Sequence, residues 1–275
     1  GGMHIADMEN EEKESPAIWA VGHGHFEILK FLVDVCGVSP SKATPGGTTP
    51  LSIACSEGEL EIAKYLHAKR TPQELVEPQF SGNPSPRLTL LNMAARACRF
   101  SVMEWLLDNH ICDVNYQDAC GYTALMGAAE ENQPIVIDFL IARGADVLVS
   151  NDNLEYFSSA FLVAVANGHI DAMEALYKHE ESCILDMNFP GHPQWTCNAL
   201  HVALSQGHLE VAKWLVAHDP NKGKLPERSN TDSIEWPLNG RGSFQIIHHF
   251  VHVDGDKEIL TFQSNPHVLS VISDL

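Results

Sequence analysis

Six stretches of this chain open in the same way, and their spacing leaves few folds open to it. They start at Ser15, Thr49, Thr89, Thr123, Ser159 and Asn198, at intervals of 34, 40, 34, 36 and 39 residues. Self-similarity at such a period marks a solenoid, in which each unit is one supersecondary element stacked on the next. All six starts are Ser, Thr or Asn, whose side-chain oxygen satisfies orphan amides of a helix's first turn. Pro16 and Pro50 follow two of them, at the first helical position, where a missing amide costs nothing. Five residues after each start stands alanine (Ala20, Ala54, Ala94, Ala128, Ala164, Ala203), where a large side chain would push apart two closely packed helices. Nine residues after the start comes a residue tolerant of left-handed geometry at Gly24, Gly58, Asn132, Gly168 and Gly207, which ends the first helix and reverses the chain. Cys98 is the exception. Seventeen residues after each start comes leucine (Leu32, Leu66, Leu106, Leu140, Leu176, Leu215), placed to fill the seam between second helices.

This pattern resembles the ankyrin family, whose signature runs Thr-Pro-Leu-His, then alanines, then Gly-His-Leu-Glu. Thr49-Pro50-Leu51, Ala199-Leu200-His201-Val202-Ala203 and Gly207-His208-Leu209-Glu210 carry the likeness, with Gly24-His25-Phe26-Glu27 and Gly144-Ala145-Asp146-Val147 as further pieces. It extends from Ser15 to about Asp219. Only His201 keeps the family's first-helix histidine. Arg87, Phe157 and Thr196 stand where Gly47 and Gly121 keep the hairpin glycine, so three hairpins are expected to be altered. The resemblance implies an all-α ankyrin-repeat solenoid of helix-turn-helix units with projecting β-hairpin loops. It further implies protein recognition on the concave face and hairpin tips, with no chemistry on the scaffold.

Three segments flank or interrupt the array. Residues 1–14 form an acidic N-terminal segment in which Gly1 and Gly2 before Met3 read as an expression remnant. A proline-bearing insertion at 71–88, with Pro72, Pro78, Pro84 and Pro86, separates the second and third repeats within the array at 15–219. Residues 220–275 admit two readings. Gly242-Ser243-Phe244-Gln245-Ile246-Ile247 imitates the family's turn-and-helix sequence and places a degenerate seventh repeat at Ser233, with a partial eighth after Asn265-Pro266. Against this, Asp254-Gly255 separates two β-prone runs and suggests a hairpin. The degenerate repeat is the preferred expectation.

Charge narrows the partners. Lysine and arginine number 17 against 36 acidic residues, a formal charge of -19. Such a chain repels phosphate backbones, which argues against nucleic acid and for a protein with a basic or apolar surface. No apolar run approaches the roughly 20 residues of a membrane-spanning helix. Seven scattered cysteines without a Cys-x-x-Cys pair read as reduced thiols and point to the cytoplasm, or to a host cytosol for a bacterial effector.

Register nominates the contact residues. Hairpin positions before each start have no core duty and hold Asp118, Tyr122, Glu155, Tyr156 and Trp195; aromatics with a polar handle are effective anchors. The stretch Phe189 to Trp195 enlarges one hairpin. Positions before the inter-helix turn are also spared, and include Glu57, Arg96, Glu130, Glu131, Asn167 and Gln206. They place acid in repeats two and four where repeat three has Arg96. No cofactor is indicated. His248, His249 and His252 lack a third ligand on one face if helical, and Cys112 and Cys120 lack a second pair, so neither set makes a metal site. Adjacent Glu130 and Glu131 point about 100° apart and cannot act as a facing acid/base pair. No nucleophile elbow or phosphate-binding loop is present, and Cys98 reads as a packing residue. The hairpins Asp113-Val114-Asn115 and Asp186-Met187-Asn188 resemble asparaginyl-hydroxylation sites, though a structural role in the turn accounts for both asparagines. The expected function is an adaptor or scaffold, not an enzyme. The alternative is the targeting arm of a larger enzyme or of a bacterial effector.

Overall fold

A computed structural model describes residues 9–10, 14–70, 89–118, 120–149, 159–180 and 199–218, together with strands at 234–236, 244–254 and 257–263. In each unit a first helix and a second helix are joined by a tight turn. The units are α1 (Pro16–Gly22) with α2 (Phe26–Lys30), α3 (Pro50–Glu57) with α4 (Leu60–Ala68), and α5 (Leu90–Arg96) with α6 (Phe100–Asp108). They continue with α7 (Ala124–Glu130) and α8 (Pro134–Ala142), α9 (Ala160–Asn167) and α10 (Ile170–His179), and α11 (Ala199–Gln206) and α12 (Leu209–His218). α2 runs on into a wide π-type turn at Phe31–Val35.

Capping decides where the first helices begin. The hydroxyls of Ser15, Thr49, Thr89, Thr123 and Ser159 each accept the amide three residues on, at 3.0–3.4 Å. At Thr49 the bond is reciprocated, since its own amide donates to the Ser52 hydroxyl at 2.9 Å. Asn198 lies outside the described residues. A left-handed residue ends every first helix, and Cys98 adopts the same geometry as the glycines, with φ 56°. The sequence exception is therefore no exception in backbone, and Cys98 bears the steric penalty of a Cβ at that angle.

First helices stack in one row, α1 on α3, α3 on α5, α5 on α7, α7 on α9 and α9 on α11. Second helices stack in a second row, as α4 on α6 and α8 on α10 do. One continuous core runs between the rows. The repeated alanines at 20, 54, 94, 128, 164 and 203 are buried in it, as are Leu66, Leu106, Leu140, Leu176 and Leu215. Leu32 is only partly covered.

Beyond the array the preferred expectation needs correction. Phe244–Asp254 (β2) pairs antiparallel with Ile234–Trp236 (β1) and with Lys257–Gln263 (β3), where a seventh helix pair was expected. Asp254 is matched with Lys257, so the hairpin reading is the one this stretch follows. The physical reason is composition: Ile246, Ile247, Phe250, Val251 and Val253 give the run a density of β-branched and aromatic residues that favours a pleated strand. Among the described residues, no helix is long and apolar enough to cross a membrane.

Candidate protein-binding surface

The hairpin between repeats three and four is built around Asp118. Its Oδ1 accepts the amides of Cys120 and Tyr122 at 2.8 and 2.9 Å, and its own amide donates to the Tyr122 carbonyl. The carboxylate is buried, with Oδ2 lacking a hydrogen-bond partner, and burial raises its pKa against the lowering effect of the two amides. Asp118 therefore holds the turn and offers no surface to a partner, which corrects its nomination as a contact. Tyr122 is half-buried, its ring packed on the core and its hydroxyl pushed up mainly by burial. Glu155, Tyr156 and Trp195 lie outside the described residues, as do Asn188 and the insertion 71–88.

A second clamp couples the same two repeats below the hairpin. Asn115 Nδ2 donates to the Gly144 carbonyl at 3.1 Å while its Oδ1 accepts the Asp146 amide at 2.8 Å. The Asp113 carboxylate in turn accepts the Asn115 amide. Both ends of the Asn115 amide are thus used in joining one repeat to the next. Tyr116 and Leu148 stand beside these turns and remain exposed. Sequence reasoning passed over both: Leu148 is in register with Asn115, two residues after the turn's aspartate, and Tyr116 lies one residue further on.

The positions before the inter-helix turns face solvent or nearly so. Glu57, Glu131, Asn167 and Gln206 are exposed, and Arg96 and Glu130 are half-buried. Arg96 does not stand alone against its acidic neighbours. Its guanidinium donates to Glu130 at 2.7 and 3.2 Å and to Glu131 at 2.6 Å, and the Glu130 bond leads the effects that raise its pKa. Glu57 lies 3.9 Å from Arg99. Ion pairs along the array thus bring these residues together and partly neutralise the acid that sequence alone presents as free. Asn167 caps back onto the Val163 carbonyl.

Cysteine chemistry is opposed by environment. Desolvation raises Cys98, with Arg99 lowering it less, and burial pushes Cys112 up to about 11. A nucleophilic thiol needs the opposite shift. Among the described residues no group of three His, Cys, Asp or Glu is placed to hold a metal.

Comparison with known proteins agrees with this architecture. The family described as ankyrin repeats (3 copies) matches three times, over residues 3–79, 67–151 and 148–224. The chain is 27% identical over 175 residues to transient receptor potential cation channel subfamily A member 1 of Homo sapiens, covering 61% of this chain and 14% of that protein. It is 32% identical over 161 residues to the mitochondrial disaggregase of Bos taurus, covering 57% of this chain and 22% of that one. The probable 26S proteasome regulatory subunit p28 of Saccharomyces cerevisiae is 26% identical over 167 residues, covering 60% and 70%. Most of the channel and of the disaggregase therefore has no counterpart here. The family matches end at residue 224, before the strands begin. With the family covering most of its length and six stacked helix pairs to match, the chain belongs to the ankyrin-repeat family, whose units generally mediate protein–protein interaction.

Proposed function

We propose that the chain is an adaptor or scaffold that binds a protein through the row of first helices and the hairpin tips. The observation that carries this reading is the ladder of Glu57, Arg96, Glu130, Glu131, Asn167 and Gln206, which the core leaves uncovered. Each rung comes from a different unit or its neighbour, so a partner lying along the array meets several at once. Around Arg96 two glutamates meet one guanidinium, leaving a net negative charge that suits a basic surface; the exposed Tyr116 and Leu148 add apolar contact at the tips. Tyr122, Tyr156, Glu155 and Trp195 belong to the same proposed edge. The reading assigns the array no catalysis and places it in the cytoplasm. The 22% coverage of the bovine disaggregase supports a second reading, in which the array is the targeting arm of a larger enzyme.

The test is site-directed photo-crosslinking. A photoreactive residue at Glu57, Glu131 or Gln206 samples the first-helix side, and one at Lys64 or Ser101 samples the exposed side of the second helices. A common partner joined from the first three positions and from neither control supports the reading. Crosslinks confined to Lys64 and Ser101 overturn it.

A further inference from the structure

The loop that leaves the first repeat can be laid over two later ones residue by residue. After the second helix of repeats one, three and four comes a left-handed residue: Gly37, His110 and Gly144. The next amide in each, from Val38, Ile111 and Ala145, donates at 2.9 Å to a second-helix leucine carbonyl, that of Leu32, Leu106 and Leu140. A side chain then holds the turn. Asp146 accepts the Leu148 amide at 2.8 Å, and Asp113, displaced one residue by Cys112, accepts the Asn115 amide at 2.9 Å. In the first repeat Ser39 stands at that position, and its hydroxyl accepts the Ser41 amide at 3.4 Å. Ser39 lies ten residues before the capping Thr49, as Asp113 lies ten before Thr123. A hydroxyl therefore does at Ser39 what a carboxylate does in the later turns, through the longest bond of the three. An ionised acceptor would shorten and strengthen it.

The same exchange recurs five residues on. Thr44 takes the place of Asp118: its amide donates to the Thr48 carbonyl and its carbonyl accepts the Gly47 amide, as Asp118 does with Tyr122 and Gly121. Both hydroxyl residues precede proline, Pro40 and Pro45, and Lys42 stands three residues after Ser39. Burial separates the two positions. Ser39 is exposed, as are Asp113 and Asp146, whereas Thr44 is half-buried and Asp118 is buried. Added charge is tolerated at the first position and opposed by desolvation at the second, where burial already raises the Asp118 carboxyl.

We propose that Ser39 is a phosphorylation site for a proline-directed kinase, and that its phosphate takes over the role of Asp113 and Asp146 in the turn. Pro40 biases Ser39 toward extended backbone, the form in which a substrate enters a kinase cleft. Lys42, which pairs with Glu9 at 2.9 Å, supplies the cation that kinases of the cyclin-dependent class favour at the third place. In the transfer, Ser39 Oγ bonds to the γ-phosphorus of ATP, the bond from that phosphorus to the ADP oxygen breaks, and the hydroxyl proton passes to the kinase's carboxylate base. The product carries about two negative charges and three acceptor oxygens. Ser15 and Thr49 also precede proline, but their hydroxyls cap α1 and α3. The site does not rest on the partner reading, so either can fail without the other.

The test incubates the full chain with a cyclin-dependent kinase and magnesium ATP, then maps phosphate by mass spectrometry. Phosphate is expected on Ser39 and is expected to be absent from that position in Ser39→Ala. Amide exchange at Ser41 should then slow about fivefold or more in the phosphorylated chain, and should also slow in Ser39→Asp, because a charged acceptor replaces the hydroxyl. Ser39 is exposed, and unchanged circular dichroism would show that its variants fold. A chain left unmodified at Ser39, phosphate on Thr44 in its place, or a phosphorylated chain whose Ser41 amide exchanges as fast as the parent's overturns the proposal.

Discussion

Replacing Gly127 by alanine should destabilise the array, although the same change in an ordinary helix stabilises it. Gly127 sits inside α7, where alanine is worth about 1 kcal/mol more than glycine. An added Cβ, however, would collide with Asn92 Oδ1 and lie 3.1 Å from both Asn92 Cγ and Arg96 Cγ. Asn92 is fully buried, so its side chain has no free volume into which to retreat. Overpacking of this kind costs about 1–3 kcal/mol. Moving the amide also breaks the 3.4 Å bond from Asn92 Nδ2 to the Thr123 carbonyl, a further loss of about 1 kcal/mol. Against the propensity gain, the net expectation is a loss of about 1–3 kcal/mol. Urea unfolding, followed by circular dichroism, should show a lower midpoint with little change in slope. In an Asn92→Ala background the obstructing amide is gone, and Gly127→Ala should become neutral or stabilising. A Gly127→Ala chain as stable as the parent, or an equal loss in both backgrounds, would refute the packing argument.

Three further outcomes follow from the same geometry. Asp118→Ala orphans two turn amides and should cost about 2–3 kcal/mol in urea unfolding, whereas Asp118→Asn keeps the Oδ1 acceptor and should cost less. The Asp118 pKa is raised in the folded state, so its ionised form opposes folding above that pKa and the penalty fades as pH falls through it; the cost of Asp118→Asn relative to the parent should therefore grow between neutral pH and acid. Asn115→Ala removes both bonds to the next unit and should lose about 1–2 kcal/mol, with amide exchange in the turn at residues 144–146 rising before that of the core helices. His110 is exposed and left-handed at φ 53°, the position Gly144 occupies in the next unit, so His110→Gly should stabilise by up to about 1 kcal/mol; a lower melting temperature would count against strain there.

Much of the fold is legible without coordinates because its determinants are local. Ser15, Thr49, Thr89, Thr123 and Ser159 cap helices through an oxygen three residues from its donor, and that arrangement depends on nothing distant. The left-handed turns at Gly24, Gly58 and Gly168 are equally local, and a period near 34 residues says that the resulting pairs stack. Cys98 shows the limit of that logic. Its side chain argues against the turn, but the packed helices on either side impose the same φ as on the glycines.

Contacts between units were not legible, since they depend on which residues face one another across a stack. Asp118 reads as a surface acid until its carboxylate is seen folded into its own turn, and Arg96 reads as a free cation until Glu130 and Glu131 close on it. Ile28 and Phe31 look like ordinary core residues in sequence, because hydrophobicity alone does not record what packs on them, and both are exposed in the structure. The stretch 244–263 turned on a competition that local pattern alone did not decide. Its turn-like opening suggested another repeat, and pairing between β2 and β3 selected the strand, because only a partner strand satisfies the backbone groups that an isolated extended segment leaves open.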